Sequence, residues 1–154
     1  MLDEAERSVH DALCVLKRIK ESPNCLYGGG CTETALALEL SKFALEVKTK
    51  ESEAIECFSR ALLSIPKILA DNCGFDGDEA KSLLKNDHAY RRTTYGVNVE
   101  NGKTCCMREK GVIEGFEMKR RVIMAACETA QAILKIDGLV TCKPRERSHD
   151  HGCH

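Results

Sequence analysis

Tryptophan is absent, and phenylalanine and tyrosine together make up only 5% of the chain. Proteins that hold single-stranded nucleic acid stack its bases on aromatic faces, so that class of function is not expected. Charge of one sign is lacking too: 23 Lys and Arg stand against 24 Asp and Glu, a formal net charge of −1. Such a balance exerts no long-range pull on a polyanion or an anionic membrane. No apolar run approaches the roughly 20 residues a membrane helix needs. No CxxC pair occurs, and the adjacent Cys105-Cys106 is not a zinc knuckle.

What is present is an ordinary globular balance. The 154 residues are 43% apolar and 31% charged, enough for one domain with one core. Ten cysteines first resemble a disulfide scaffold. Cys14, Cys57 and Cys127, however, fall inside helical patterns, where a thiol behaves as a small hydrophobe. The acidic opening Met-Leu-Asp-Glu-Ala-Glu does not read as a secretory leader. A reduced, cytoplasmic chain is the expectation. A helical pattern is already running by Asp3, so the chain reads as though it enters mid-structure.

Apolar periodicity predicts a first helix from Asp3 to about Lys20, with Val9, Leu13 and Leu16 on one face. Ser22-Pro23-Asn24 stops it, and Cys25-Leu26-Tyr27 leads into Gly28-Gly29-Gly30. A second helix runs from Cys31 to about Val47, with Leu36, Leu40, Phe43 and Val47 on its inner side. A third covers about Glu51 to Leu63, burying Ile55, Phe58, Ala61 and Leu62. It restarts at Pro66, which suits a first helical turn, and continues to Cys73. Asp76 followed three positions later by Glu79 is a helix-start signature, and a polar loop is expected from Asp87 to Arg92. Tyr95 to Val99 alternates as a strand, Asn101-Gly102 signals a hairpin, and Thr104 to Met107 returns. A long helix from Phe116 to Ile136 would bury Met118, Val122, Ala126, Ile133 and Leu134, with a final strand at Leu139 to Cys142. The expected fold class is mainly α with a small β-hairpin.

Three glycines between two helices pose the functional question. A glycine-rich loop that opens a helix is a recurrent anion site, because its backbone approaches a ligand closely and the first-turn amides point at it. Alone the signal is weak, since Gly-Gly-Gly matches neither GxxxxGK[ST] nor GxGxxG. Asp11 strengthens it: a carboxylate can hold magnesium or orient a water in phosphoryl transfer. The plain alternative for Asp11 is a solvated acid on a helix face.

The stretch "ERSVHDALCVLKRIKESPNCLYGGGCTE" at 6 to 33 resembles the group II chaperonin family. So, in family order, do "IPKILADNCGFD" (65 to 76), "YGVNVENGK" (95 to 103) and "GVIEGFEMKRRVIMAACETAQAILKIDGL" (111 to 139). The resemblance implies that residues 1 to 142 form the C-terminal half of the ATP-binding equatorial domain. Residues 1 to 10 would continue from the intermediate domain, and 143 to 154 would be a mobile tail. It also implies ATP and Mg2+ as cofactors. The partners would be other chaperonin subunits in a hetero-oligomeric double ring and unfolded clients such as actin and tubulin, with no nucleic acid or membrane.

By the same resemblance, Asp11 matches the catalytic aspartate that activates the hydrolytic water. Gly29, flanked by Gly28 and Gly30, matches a glycine contact to the nucleotide. Asn98 and Val99 fall where the family lines the adenine side. Glu114 sits at the acidic position that hydrogen-bonds the ribose, and Lys119 matches a nearby basic contact. On residue chemistry alone, Lys119 is equally an ordinary lysine on a charged helix, and Asn98 a turn residue. Gly115 departs from the proline common at its position. The larger departure is the family's Gly-Asp-Gly-Thr-Thr phosphate loop, which has no counterpart in these 154 residues. The chain alone is therefore expected to lack ATPase activity and, through exposed helix faces, to be poorly soluble. The alternative is a non-catalytic helical module that associates with chaperonin subunits. The tail His149-Asp150-His151-Gly152-Cys153-His154 carries metal-ligand types but no scaffold, so no metal site is assigned to it.

Overall fold

A computed structural model describes residues 2 to 142. The tail residues considered above for metal binding lie outside the described part. Helix α1 spans Leu2–Glu21, strand β1 Cys25–Tyr27, α2 Cys31–Glu46, α3 Glu51–Asn72 and α4 Gly77–Ala89. Then come β2 Tyr95–Val97, β3 Thr104–Cys106, the single-turn α5 Met107–Lys110, β4 Ile113–Gly115 and α6 Phe116–Leu134. The chain divides into two units, Met1–Arg120 and Arg121–His154, with α6 crossing the division. No described helix is long and apolar enough to cross a membrane.

The core of the first unit lies among α2, α3 and α4. Ala37 of α2 meets Leu62 and Leu63 of α3, with Leu40 against them. Ala70, Ala80, Leu84 and Val97 form a second cluster under Leu69, Phe75 and Tyr95. The packed faces are smaller and more polar than the apolar spacing predicts. On α2 the buried positions are Cys31, Glu33, Thr34, Ala37 and Ala44, whereas Leu36 and Phe43 are exposed. On α3 they are Ser59, Leu62, Leu63, Pro66 and Ala70, whereas Phe58 is exposed. Small residues let the two helices approach closely. The Ser59 hydroxyl donates to the Ala37 carbonyl at 2.8 Å, which removes the cost of its burial.

Helix α3 does not restart at Pro66 but runs through it. The proline ring is buried against the glycine turn, and that packing outweighs the amide it cannot donate. Asp76 caps α4 as expected, accepting from the amides of Asp78 and Glu79 at 2.9 and 3.1 Å. That helix extends into the expected loop as far as Ala89, because Asp87 and His88 turn inward and find partners. Asp87 accepts from Arg92 at 2.9 Å and from the Thr104 hydroxyl at 2.5 Å, and His88 Nε2 lies 2.9 Å from the Tyr95 carbonyl.

The predicted hairpin forms, pairing Tyr95 with Cys106 and Val97 with Thr104. A second antiparallel pair was not legible in the sequence: β1 and β4 join Cys25 to Gly115, Leu26 to Glu114 and Tyr27 to Ile113. The expected strand at Leu139 to Cys142 does not form: these residues are in no helix or strand, and Leu139 is 88% exposed. The expected buried side of α6 is also absent: Met118, Val122, Ile133 and Leu134 are exposed. An amphipathic stripe specifies a face that favours burial, and only a facing element can bury it.

Candidate functional site

The glycine turn is held from three sides. Gly28 donates its amide to the Val112 carbonyl at 3.1 Å, and the Gly29 carbonyl accepts from the Val97 amide at 2.8 Å. The Thr34 hydroxyl donates to the Gly30 carbonyl at 2.8 Å, securing the first turn of α2. Gly29 and Gly30 both have left-handed backbones, with φ of 65° and 76°. Space forbids side chains there as well. A Cβ on Gly29 would lie 2.8 Å from the Met107 sulfur, and one on Gly30 would lie 2.6 Å from Pro66 Cβ. The tripeptide is therefore a tightly packed turn.

Above this turn opens a cleft of about 440 Å³. Leu69, Val97, Val99, Met107 and Val112 give it apolar walls, and Gly29, Asn98 and Glu114 line it as well. Four of the residues singled out in the sequence, Gly29, Asn98, Val99 and Glu114, thus share one cavity, with Gly28 and Gly30 in the turn beneath. At its rim Lys110 and Glu100 form an ion pair at 2.5 Å. That carboxylate holds the Lys110 ammonium above its usual range. Asn98 is buried and shapes the hairpin: its Oδ1 accepts from the Glu100 amide at 3.1 Å, and its carbonyl from the Gly102 amide at 2.9 Å.

Lys119 lies behind the cleft wall. Its ammonium bonds Glu33 Oε1 at 2.6 Å and also contacts Glu114 Oε2. Burial alone would lower its pKa; hydrogen bonds to Glu114 and Glu33 outweigh that and hold it above the usual lysine range. Nearby, burial, with help from Glu33 and Cys106, pushes the Cys31 thiol up to about 11. Among the described residues nine cysteines are free thiols.

Asp11 does not join this group. Its side chain is 83% exposed, 3.7 Å from His10, and it is not among the residues lining the cleft. It sits midway along α1, about 15 Å of helix axis before Glu21 at 1.5 Å per residue. Glu33, Leu69, Met107, Lys110 and Val112 escaped the sequence reading. Only Glu33 left a trace there, as an acid in the first turn of a helix that follows glycines.

The model of the TCP-1/cpn60 chaperonin family matches residues 1–144. The chain belongs to that family. It is 57% identical over 150 residues to T-complex protein 1 subunit beta of Encephalitozoon cuniculi, covering 97% of this chain and 30% of that protein. The rat subunit beta is 40% identical over 151 residues, covering 98% of this chain and 28% of that protein. Among solved structures, an open-state monomer of a group II chaperonin from Methanococcoides burtonii superposes with a TM-score of 0.78 at 35% identity. That match covers 87% of this chain and 33% of the archaeal one. The helices and the hairpin fit a fragment of a chaperonin equatorial domain. The chain spans less than a third of the length of the two subunit beta proteins.

Proposed function

We propose that this chain supplies the sugar- and base-facing wall of an ATP site in a chaperonin subunit. The subunit would work in a hetero-oligomeric cytosolic double ring that uses ATP hydrolysis to fold clients such as actin and tubulin. One observation carries the reading: Gly29, Asn98, Val99 and Glu114, drawn from three separate stretches of chain, line a single cleft. Its volume of about 440 Å³ and its apolar walls suit a purine nucleoside. The bare backbone at Gly28 and Gly29 admits close approach, and the Glu114 carboxylate is an acceptor for ribose hydroxyls. In the intact site the nucleotide carries the phosphoryl group that is transferred. This chain's residues bind and orient it: the apolar walls exclude water from the base, and Glu114 fixes the sugar.

Mg2+ stands differently. Among the described residues no group of three or more His, Cys, Asp or Glu could hold a metal ion. The fit is to an ion borne mainly by phosphates. Asp11 takes the water-activating role in this reading, and no contact in the structure carries it to the cleft.

Titrating the 154-residue chain with ATP tests the proposal. Weak binding without turnover is expected, and Gly29→Val, which drives a branched side chain into Met107, should abolish it. A wild-type chain that ignores millimolar ATP would sink the nucleotide reading. The exposed stripe Val9, Leu13 and Leu16 on α1 favours a second reading, a non-catalytic module that associates with chaperonin subunits. Subunit capture indifferent to ATP, together with no ATP binding, would select it.

A further inference from the structure

Glu33 is a buried acid that the ATP reading leaves without a task. Its side chain is 2% exposed; Oε1 accepts from Lys119 at 2.6 Å, and Oε2 is buried with no hydrogen-bond partner. The same ammonium, on a side chain 15% exposed, contacts Oε2 of Glu114. One half-buried lysine therefore faces the carboxyl groups of two glutamates. The other oxygen of Glu114, Oε1, lies over Gly28, where an added Cβ would come within 3.3 Å of it. Glu114 thus has one oxygen on Lys119 and the other over the glycine turn, and its side chain lines the cleft.

We propose that Glu33 is a positioning residue. By taking a share of the Lys119 charge it leaves Glu114 incompletely neutralised, a strong acceptor for the vicinal hydroxyls of a sugar, so that the cleft prefers a ribonucleoside to its dideoxy counterpart. The inference rests on the nucleotide reading. Its physical basis is that Lys119 paired with Glu114 alone would form a neutral couple. A second carboxylate at 2.6 Å in a poorly solvated interior returns negative charge to the oxygen that faces the ligand. Lys119 is also held in place, since leaving Glu33 would strand a buried carboxylate with no partner. Glu33 itself is fixed by the first turn of α2, which the Thr34 hydroxyl ties to Gly30.

Glu33→Gln keeps the shape and the accepting oxygen while removing the charge. Adenosine and 2′,3′-dideoxyadenosine are titrated by NMR into the 154-residue chain, its Glu33→Gln variant and the surface control Glu39→Gln. Wild type and control should prefer adenosine. In Glu33→Gln that preference should fall roughly 3- to 10-fold, the difference between a fully charged and a compensated acceptor, with dideoxyadenosine affinity unchanged. The Glu114 13Cδ resonance should also move in the ligand-free variant. An unchanged adenosine preference overturns the proposal, and so does equal loss of both ligands, the mark of a structural role. If wild type binds no adenosine, the nucleotide reading fails by itself. The ligand-free resonance then decides: movement supports positioning of Glu114 by Glu33, and a fixed resonance overturns it.

Discussion

Helix α1 and the α2–α3 pair differ in the opposite sense from their sequences. Helix α1 presents large apolar residues at regular spacing, yet Val9, Leu13, Val15 and Leu16 all stand exposed. Helices α2 and α3 meet through Ala37, Ser59, Leu62 and Leu63, and they leave Leu36, Phe43 and Phe58 toward solvent. Close packing is governed by how nearly two backbones can approach, and small side chains permit more of it than large ones. Spacing of big hydrophobes identifies a helix and a face that favours burial; it does not identify the partner.

The sharpest way to break this contrast is to truncate one leucine on each side of it. Leu62→Ala, at a buried position of α3 against Ala37 and Leu63, should cost about 2–5 kcal/mol in chemical denaturation. Leu13→Ala on exposed α1 should stay within about 0.5 kcal/mol. Equal losses would mean that α1 is packed in solution.

A middle-sized effect separates backbone strain from crowding within the glycine turn. Gly29→Ala meets both a left-handed φ and the Met107 sulfur, and should lose about 1–3 kcal/mol by thermal melting. Gly111→Ala has a similar φ of 70° with nothing within 4 Å, so only the conformational cost of about 1 kcal/mol remains. Matching losses would show that the turn is looser than its geometry.

The smallest effect is electrostatic and lies at the start of α4. Hydrogen bonds from Lys67 and Lys81 hold the Asp78 carboxyl down to about 2. Its folded pKa is below the unfolded value, so its contribution is present above about pH 4 and fades as the pH falls toward 2. Asp78→Asn should flatten that part of the acid-denaturation curve slightly, because the group is solvent-exposed and screened. An unaltered acid limb would remove the ion pair from the stability of α4.

Much of this was legible beforehand for local reasons. The Asp76 cap, the Asn101-Gly102 hairpin and most helix bounds follow from contacts within a few residues. The candidate cleft was legible in part. Gly29, Asn98, Val99 and Glu114 came from resemblance, and three glycines before a helix gave independent physical support. Met107 and Val112 were missed because they reach the cleft through the β1–β4 pairing and the α5 turn, which no local pattern encodes. Glu33 was missed because burial of a charge depends on a lysine 86 positions away. Pro66 misled, since the rule against proline inside a helix is local and the surface that accommodates its ring is not.

The pairing of Tyr27 with Ile113 also bears on synthesis. As the polypeptide leaves the ribosome, the contacts of α2, α3 and α4 are available early, among neighbours in the chain. The wall bearing Glu114 is translated much later. A nascent chain halted at the hairpin would therefore hold an assembled helical core whose glycine turn still lacks its opposite bank.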